Sequence, residues 1–243
     1  MSRRKPPGDD GDRSALVRNQ YAREDNLRAR QALYEEVRGE NGPDVLWRLL
    51  QERGPRSVLE VGGGPGDLAE RIVAELGARL AFVDQSERMV ELATARGLDA
   101  LVGDVQELPF RDATFDTVVA AWMLYHVRDI DRALAEIARV LTEGGVLFAA
   151  TNSIEHLSEL GTLIGMDVGA LVRQFSRENG DDLLLRHFRH VVRLDAGIEI
   201  IVRERAKLVA YQRSLSTPSR PVPEDVQMPF VVHGRSSIFV ATR

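Results

Sequence analysis

Between residues 57 and 150 two hydrophobic periods alternate along the chain. Short apolar runs at Val58–Val61, Leu80–Val83, Ala100–Val102, Thr117–Ala121 and Val146–Phe148 are bounded by glycine, proline or aspartate, and they read as buried strands. Between them apolar residues recur every three or four positions. Leu68, Ile72, Val73 and Leu76 form one such stripe, and Ile130, Ala133, Leu134, Ile137, Ala138 and Leu141 form another. Ser86, an N-cap type residue, opens a further helix after the second run. This alternation predicts one α/β domain on a parallel sheet.

The flanks are less regular. The first 14 residues are polar, charged and proline-containing, which predicts a disordered tail over 1–14. Tyr21, Leu27, Leu33, Tyr34 and Val37 suggest a helix to about Arg38. Asn41-Gly42-Pro43 then breaks the chain and starts a second helix carrying Leu46, Trp47, Leu49 and Leu50, so 15–55 reads as an N-terminal helical cover. After residue 153, 154–175 reads as a helix, a short helix runs through Leu183, Leu184 and Phe188, and Val191–Leu194 and Ile198–Val202 read as strands. A helix from Glu204 to Leu215, a proline-rich loop from Thr217 to Pro229 and a last strand, Ser237–Ala241, complete the chain.

Composition narrows the partners. With 243 residues and 44% hydrophobic content the chain can bury a full core. A net charge of −5 disfavours a nucleic-acid partner, which calls for a basic face; Arg186 to Arg193, the nearest basic stretch, reads as a solvated helix face. There is no cysteine, and the five histidines form no recognisable metal constellation, so no metal site is expected. The start carries no apolar leader and no run is long enough to span a bilayer, which predicts a cytoplasmic location without membrane attachment.

The chemistry concentrates at Glu60-Val61-Gly62-Gly63-Gly64-Pro65-Gly66-Asp67, a glycine turn between a strand and a helix. Such a turn lets a ligand approach bare backbone, and the helix N-terminus beyond it adds unpaired N–H donors. A dinucleotide fold needs Gly-x-Gly-x-x-Gly, but here Gly62, Gly64 and Gly66 are spaced two apart, which makes a nicotinamide enzyme the weakest reading. Acidic-x-Gly-x-Gly-x-Gly instead resembles motif I of the class I S-adenosylmethionine-dependent methyltransferases. Asp84, 18 residues past Gly66, Gly103-Asp104, Phe115-Asp116, the run Met123 to Val127 and Thr142-Glu143-Gly144-Gly145 follow in the order of the type 11 subgroup.

That resemblance implies a single doubly wound Rossmann-like domain. Its mostly parallel seven-stranded sheet would carry an antiparallel edge strand, with a cofactor core over 56–153 and a substrate-covering insertion with terminal strands over 154–243. It implies S-adenosylmethionine as cofactor, with S-adenosylhomocysteine as product. Glu60, Gly62, Gly63, Gly64, Gly66, Asp84, Gln85, Met89, Gly103, Asp104, Val105, Gln106 and Ala121 would contact it, Asp84 at the ribose hydroxyls and Asp104 beside the adenine. Tyr21 and Arg30 would cover it, Arg30 pairing with its carboxylate. Tyr125 and His126, at the C-terminal end of the fourth strand, are the candidates for catalysis; His126 could act as a base or pack against the cofactor. The motif of amino-directed nucleic-acid methyltransferases is missing, with Ala120, Ala121 and Trp122 near its place. A small-molecule O, N or C nucleophile is therefore the first acceptor reading, for a monomer or homodimer. RNA or a protein side chain, and a non-catalytic cofactor-binding module, are the alternatives.

Overall fold

The computed structural model describes residues 29–30, 32–215 and 218–243. They build on one eight-stranded sheet of order β1-β7-β8-β6-β5-β2-β3-β4. The strands are β1 (Val37–Glu40), β2 (Ser57–Val61), β3 (Arg79–Asp84), β4 (Asp99–Val102), β5 (Phe115–Ala121), β6 (Leu141–Asn152), β7 (His190–Val202) and β8 (Phe230–Thr242). From β4 to β6 the neighbours are parallel, whereas β6–β8, β8–β7 and β7–β1 are antiparallel.

Alternation along the central strands divides the core between the two faces. Leu59, Val61, Val118 and Ala120 face α4 (Ile130–Val140), whose Ala133, Leu134 and Ile137 are fully buried. Val58 and Val119 face the opposite way, against Leu46, Trp47 and Leu50 of α1 (Gly42–Arg53) and against Ile72. Helix α2 (Asp67–Arg71) runs into a π turn at Ile72–Leu76, and α3 (Glu87–Ala95) follows β3. The cap read from sequence is present, Ser86 accepting from the Met89 amide; Asn41 accepts likewise from the Asp44 amide, and Gly54 closes α1 in the left-handed region. Asp116 has an architectural role, since its Oδ2 accepts the amides of Arg56 and Ser57 and ties the entry of β2 to β5.

Four expectations are corrected. The sheet has eight strands instead of seven, because residues 37–40 form β1 where a helix was predicted to reach Arg38. Gly39 lies there at φ +107°, and a Cβ on it would stand 2.4 Å from the carbonyl oxygen of Gly197. The free backbone edge of β7 thus outcompetes a local helical repeat. The predicted helix over 154–175 is also broken, into α5 (Ser158–Ile164) and a 3₁₀ turn (Val168–Leu171), with Gly165 ending α5 in the left-handed region. The two predicted strands after residue 190 are one, β7.

The fourth correction concerns the predicted substrate cover. β8 pairs with β6 only from Ser236 onward, so Phe230–Arg235 and the matching half of β7 project past the C-terminal end of β6. On this projection α5 and α7 (Arg205–Ser214), together with Leu33 and Val222, build a separate small core around Ile200, Val232 and Leu208. Helix α6 (Gly180–Leu184) packs under the sheet instead. The insertion stabilises its own hairpin, and among the described residues past 153 only Gln174 reaches the large cavity beside the sheet.

Candidate functional site

The C-terminal ends of β2, β3 and β5 and the turn after β4 open into a cavity of about 1320 Å³, walled by α1, the start of α2 and the 3₁₀ turn Leu124–His126. This is the edge at which open α/β sheets bind ligands. The glycine turn forms its floor. Gly62 donates its amide to the Val83 carbonyl at 2.7 Å, and Gly64, at φ +59°, donates to Asp84 Oδ2 at 3.3 Å.

Each glycine answers a different demand. A Cβ on Gly63 would lie 2.6 Å from both the Glu60 carboxyl carbon and the Phe82 ring, so its absence makes room for the acid beneath. At Gly64 a Cβ would meet nothing within 4 Å, and the constraint is the positive φ. Gly66 caps α2 and would meet Leu98 at 2.8 Å, which makes it a packing glycine; it does not line the cavity.

Two carboxyl groups lie against this floor. Glu60 is 1% exposed, and its Oε2 has no hydrogen-bond partner. Burial, and then the negative field of Asp84, push its carboxyl up to about 8, against a compensating backbone hydrogen bond at Ala69. Asp84 is 8% exposed, and burial raises its carboxyl as well, opposed by the amides of Ser86 and Gly64. Its Oδ1 accepts the Ser86 amide at 2.8 Å. Buried polar atoms in folded proteins nearly always have a partner, so the orphaned oxygen of Glu60 calls for a donor from a ligand.

The other walls differ in character. After β4 the Asp104 carboxylate takes both the amide and the side-chain nitrogen of Gln106, whose Oε1 accepts the amide of Asp129. This latch holds Gly103–Gln106 as a fixed rim. Across the cavity Tyr125 and His126 stack edge-on with ring centroids 4.4 Å apart.

Glu60, Gly62, Gly63, Gly64, Asp84, Gln85, Met89, Gly103, Asp104, Val105, Gln106, Ala121, Tyr125 and His126 all line this one cavity. Arg30 is elsewhere: its guanidinium donates to the hydroxyl and carbonyl oxygens of Ser214, on the hairpin core. Tyr21 lies outside the described residues. Sequence reading missed Trp47, Arg71, Trp122 and Met123, which also line the cavity. For Arg71 a signal existed, since it stands one turn after Leu68 on the helix face that the glycine turn presents. Its Cζ lies 3.8 Å above the Trp47 ring and its Nε donates to Glu75 at 2.9 Å, which leaves its terminal nitrogens without a protein partner among the described residues. Among those residues no three metal-ligating side chains cluster, and no helix is long and apolar enough to cross a membrane.

Comparison with known proteins bears on the domain and the fold. Residues 59–149 match the type 11 family profile described as a methyltransferase domain. A demethylmenaquinone methyltransferase of Thermobifida fusca is 35% identical over 130 residues, covering 49% of this chain and 55% of that enzyme, so the chain spans about half the length of such curated relatives. A crystal structure from Thermotoga maritima, described as an S-adenosylmethionine-dependent methyltransferase and possible histamine N-methyltransferase, superposes with a TM-score of 0.51 at 25% identity, covering 96% of this chain and 94% of that one. An N-methyltransferase of Haemonchus contortus, held with phosphomonomethylethanolamine and S-adenosylhomocysteine, reaches a TM-score of 0.64 at 17% identity over 95% of this chain and 60% of its own, which speaks to the fold. With motif I on its strand-to-helix turn and the family profile spanning β2 to β6, residues 59–149 form a methyltransferase domain of type 11, on the fold shared with the class I S-adenosylmethionine-dependent methyltransferases.

Proposed function

We propose that the protein transfers the methyl group of S-adenosylmethionine to a small-molecule acceptor by in-line displacement. The observation that carries this reading is Glu60, a buried acid at the tip of β2 whose free oxygen meets a cavity floored by glycine backbone. The residues present suit the cofactor. Glu60 offers an acceptor to its amino group, Asp84 to its ribose hydroxyls and the Gly103–Gln106 rim a wall for its adenine, while Arg71, in place of Arg30, presents a stacked guanidinium to its carboxylate.

When bound, S-adenosylmethionine supplies a methyl group on a sulfonium, whose departure as a neutral thioether needs no acid. The chain's contribution is then position. Fixing acceptor and methyl donor in one cavity removes most of the entropic cost of their meeting. Tyr125 and His126 stand on the wall left for the acceptor, and His126 would take the proton of an O–H or C–H nucleophile and release it to water. At about 1320 Å³ the cavity exceeds a common single-ligand pocket, which leaves space for both molecules. The names of the relatives, one of them a demethylmenaquinone methyltransferase, support a small organic acceptor.

Calorimetric titration tests the reading. S-adenosylmethionine and S-adenosylhomocysteine should bind with micromolar dissociation constants and NAD should give no heat. Absence of heat from S-adenosylhomocysteine would overturn the assignment.

A further inference from the structure

Trp122 stands at the tip of β5 at φ +54°, a region that a bulky residue enters only when its surroundings hold it there. Its surroundings do so from three sides. The backbone amide of Trp122 donates to the Ala150 carbonyl at 2.8 Å, and its indole Nε1 donates to Asn152 Oδ1 at 3.0 Å. Asn152 is itself fixed by the Ser236 hydroxyl at 2.9 Å. Gly42 makes room for the ring, since a Cβ there would lie 2.8 Å from an indole carbon. Four positions distant in sequence thus converge on the orientation of one ring that lines the cavity.

The indole N–H is already engaged by Asn152, so what the ring offers a ligand is its apolar surface. Beside it along the wall come Met123, Tyr125 and His126, a thioether and two aromatic rings. The buried carboxyl groups Glu60 and Asp84 lie at the ends of β2 and β3, against the glycine turn, and the charged Arg128, Asp129 and Arg132 line the cavity beyond His126. This part of the wall therefore presents aromatic faces, a thioether and one imidazole, with no carboxylate or guanidinium among those four residues.

We propose that Trp122 is the residue that selects the acceptor, and that the acceptor is an uncharged planar aromatic ring system stacked on its indole, with its nucleophilic atom toward Tyr125 and His126. This rests on the methyltransferase reading for its purpose, while the stacking itself can be tested without it. Offset stacking on a fixed indole is worth about two- to twelvefold in affinity beyond area burial, and more for large flat ligands. Because the ring is held in place before binding, little ordering cost offsets that gain.

The experiment compares two probes with one carbon skeleton, flat 1-naphthol and puckered decahydro-1-naphthol, titrated calorimetrically with and without saturating S-adenosylhomocysteine. The wild-type protein should bind 1-naphthol about tenfold or more tightly than the saturated alcohol. Trp122→Leu, which keeps apolar bulk and loses the aromatic face, should bring the two probes to within about threefold, and Trp122→Phe should retain most of the preference. The S-adenosylhomocysteine titration of each variant reports that the fold is intact. Equal binding of the two alcohols by the wild type, or an undiminished preference in Trp122→Leu, would overturn the proposal. Failure of S-adenosylhomocysteine to bind the wild type would instead overturn the cofactor reading, and the titrations without it would still decide the stacking.

Discussion

Replacing Glu60 with glutamine isolates the most strained piece of electrostatics in the molecule. Burial and Asp84 raise the Glu60 carboxyl from 4.5 to about 8, so near neutrality the folded chain holds a proton there that the unfolded chain does not. The native state then binds more protons than the unfolded state, and stability must fall as pH rises from about 4.5 toward 8. Each pH unit through which only the native carboxyl keeps its proton is worth about 1.36 kcal/mol, and the proton is lost gradually as pH nears 8, so over pH 6.5 to 8 the loss comes to about 1.5 kcal/mol. For a chain of this length that is roughly 3–6 °C in melting temperature.

The other shifted groups act mainly outside this window or in the same direction. His156, hydrogen-bonded to Tyr34, is held down to about 4 chiefly by burial, so its contribution is complete well above its ordinary 6.5 and is lost as pH falls through 6.5 toward 4, which opposes the Glu60 slope weakly at the start of the series and equally in both proteins. Glu36, Asp131, Glu136, Glu159 and Glu178 are lowered, and their contributions likewise disappear only toward acid. Asp84 is raised and acts in the same direction as Glu60, though starting from the lower carboxylate value of 3.8. Thermal melts of wild type and Glu60→Gln at half-unit steps from pH 6.5 to 8 give the comparison. The wild type should lose stability across the series, and most of that slope should be missing in the variant, whose amide cannot ionise. Equal slopes in the two proteins would refute the reasoning, because they would mean that Glu60 is ionised at neutral pH and has a cationic or donor partner already.

Three further substitutions separate the roles assigned around the cavity. Arg71→Ala should weaken S-adenosylhomocysteine binding by about 10- to 100-fold, the loss of a charge-assisted pair, and should leave 5′-methylthioadenosine, which lacks the amino-acid end, unaffected in calorimetry; an equal loss for both ligands would remove Arg71 from the carboxylate. Gly63→Ala should cost about 1–3 kcal/mol in denaturant unfolding, because the new methyl group overlaps both the Glu60 carboxyl and Phe82. Gly64→Ala, with open space and only a positive φ to bear, should cost about 1 kcal/mol. Matching losses at the two glycines would contradict the different roles derived for them.

The parallel half of the sheet was legible because its information is local. Each strand from β2 to β6 is a short apolar run with its own turn signal, and Ser86 and Asn41 announce the helices they cap. The acidic residue and glycines of motif I share one turn, so the cradle could be read from eight consecutive letters. What failed was decided at a distance. Val37–Glu40 becomes a strand because β7, some 160 residues later, leaves its backbone edge open, and no periodicity near Val37 records that. Arg30 goes to Ser214 for a similar reason, since the hairpin core draws in the residues around Leu33.

The same distinction explains why the wall proposed for the acceptor is less legible in the sequence than the floor proposed for the cofactor. A cofactor common to many enzymes can be held by backbone shape, which leaves glycines in fixed order. An acceptor must be recognised by side chains, and here the orienting groups for one of them come from the start of α1, the end of β6 and the middle of β8: Gly42, Asn152 and Ser236. None of these residues carries chemistry that would single it out in the sequence, and each acquires its meaning only by converging on Trp122. The backbone conformation of Trp122 records that convergence. A tryptophan at φ +54° is costly in isolation, by about 1–3 kcal/mol, and the Asn152 bond and the space left by Gly42 offset that cost only in the folded arrangement. Strain retained at the end of the strand that leads into the Tyr125–His126 turn is therefore better explained by what the indole faces than by the stability of β5.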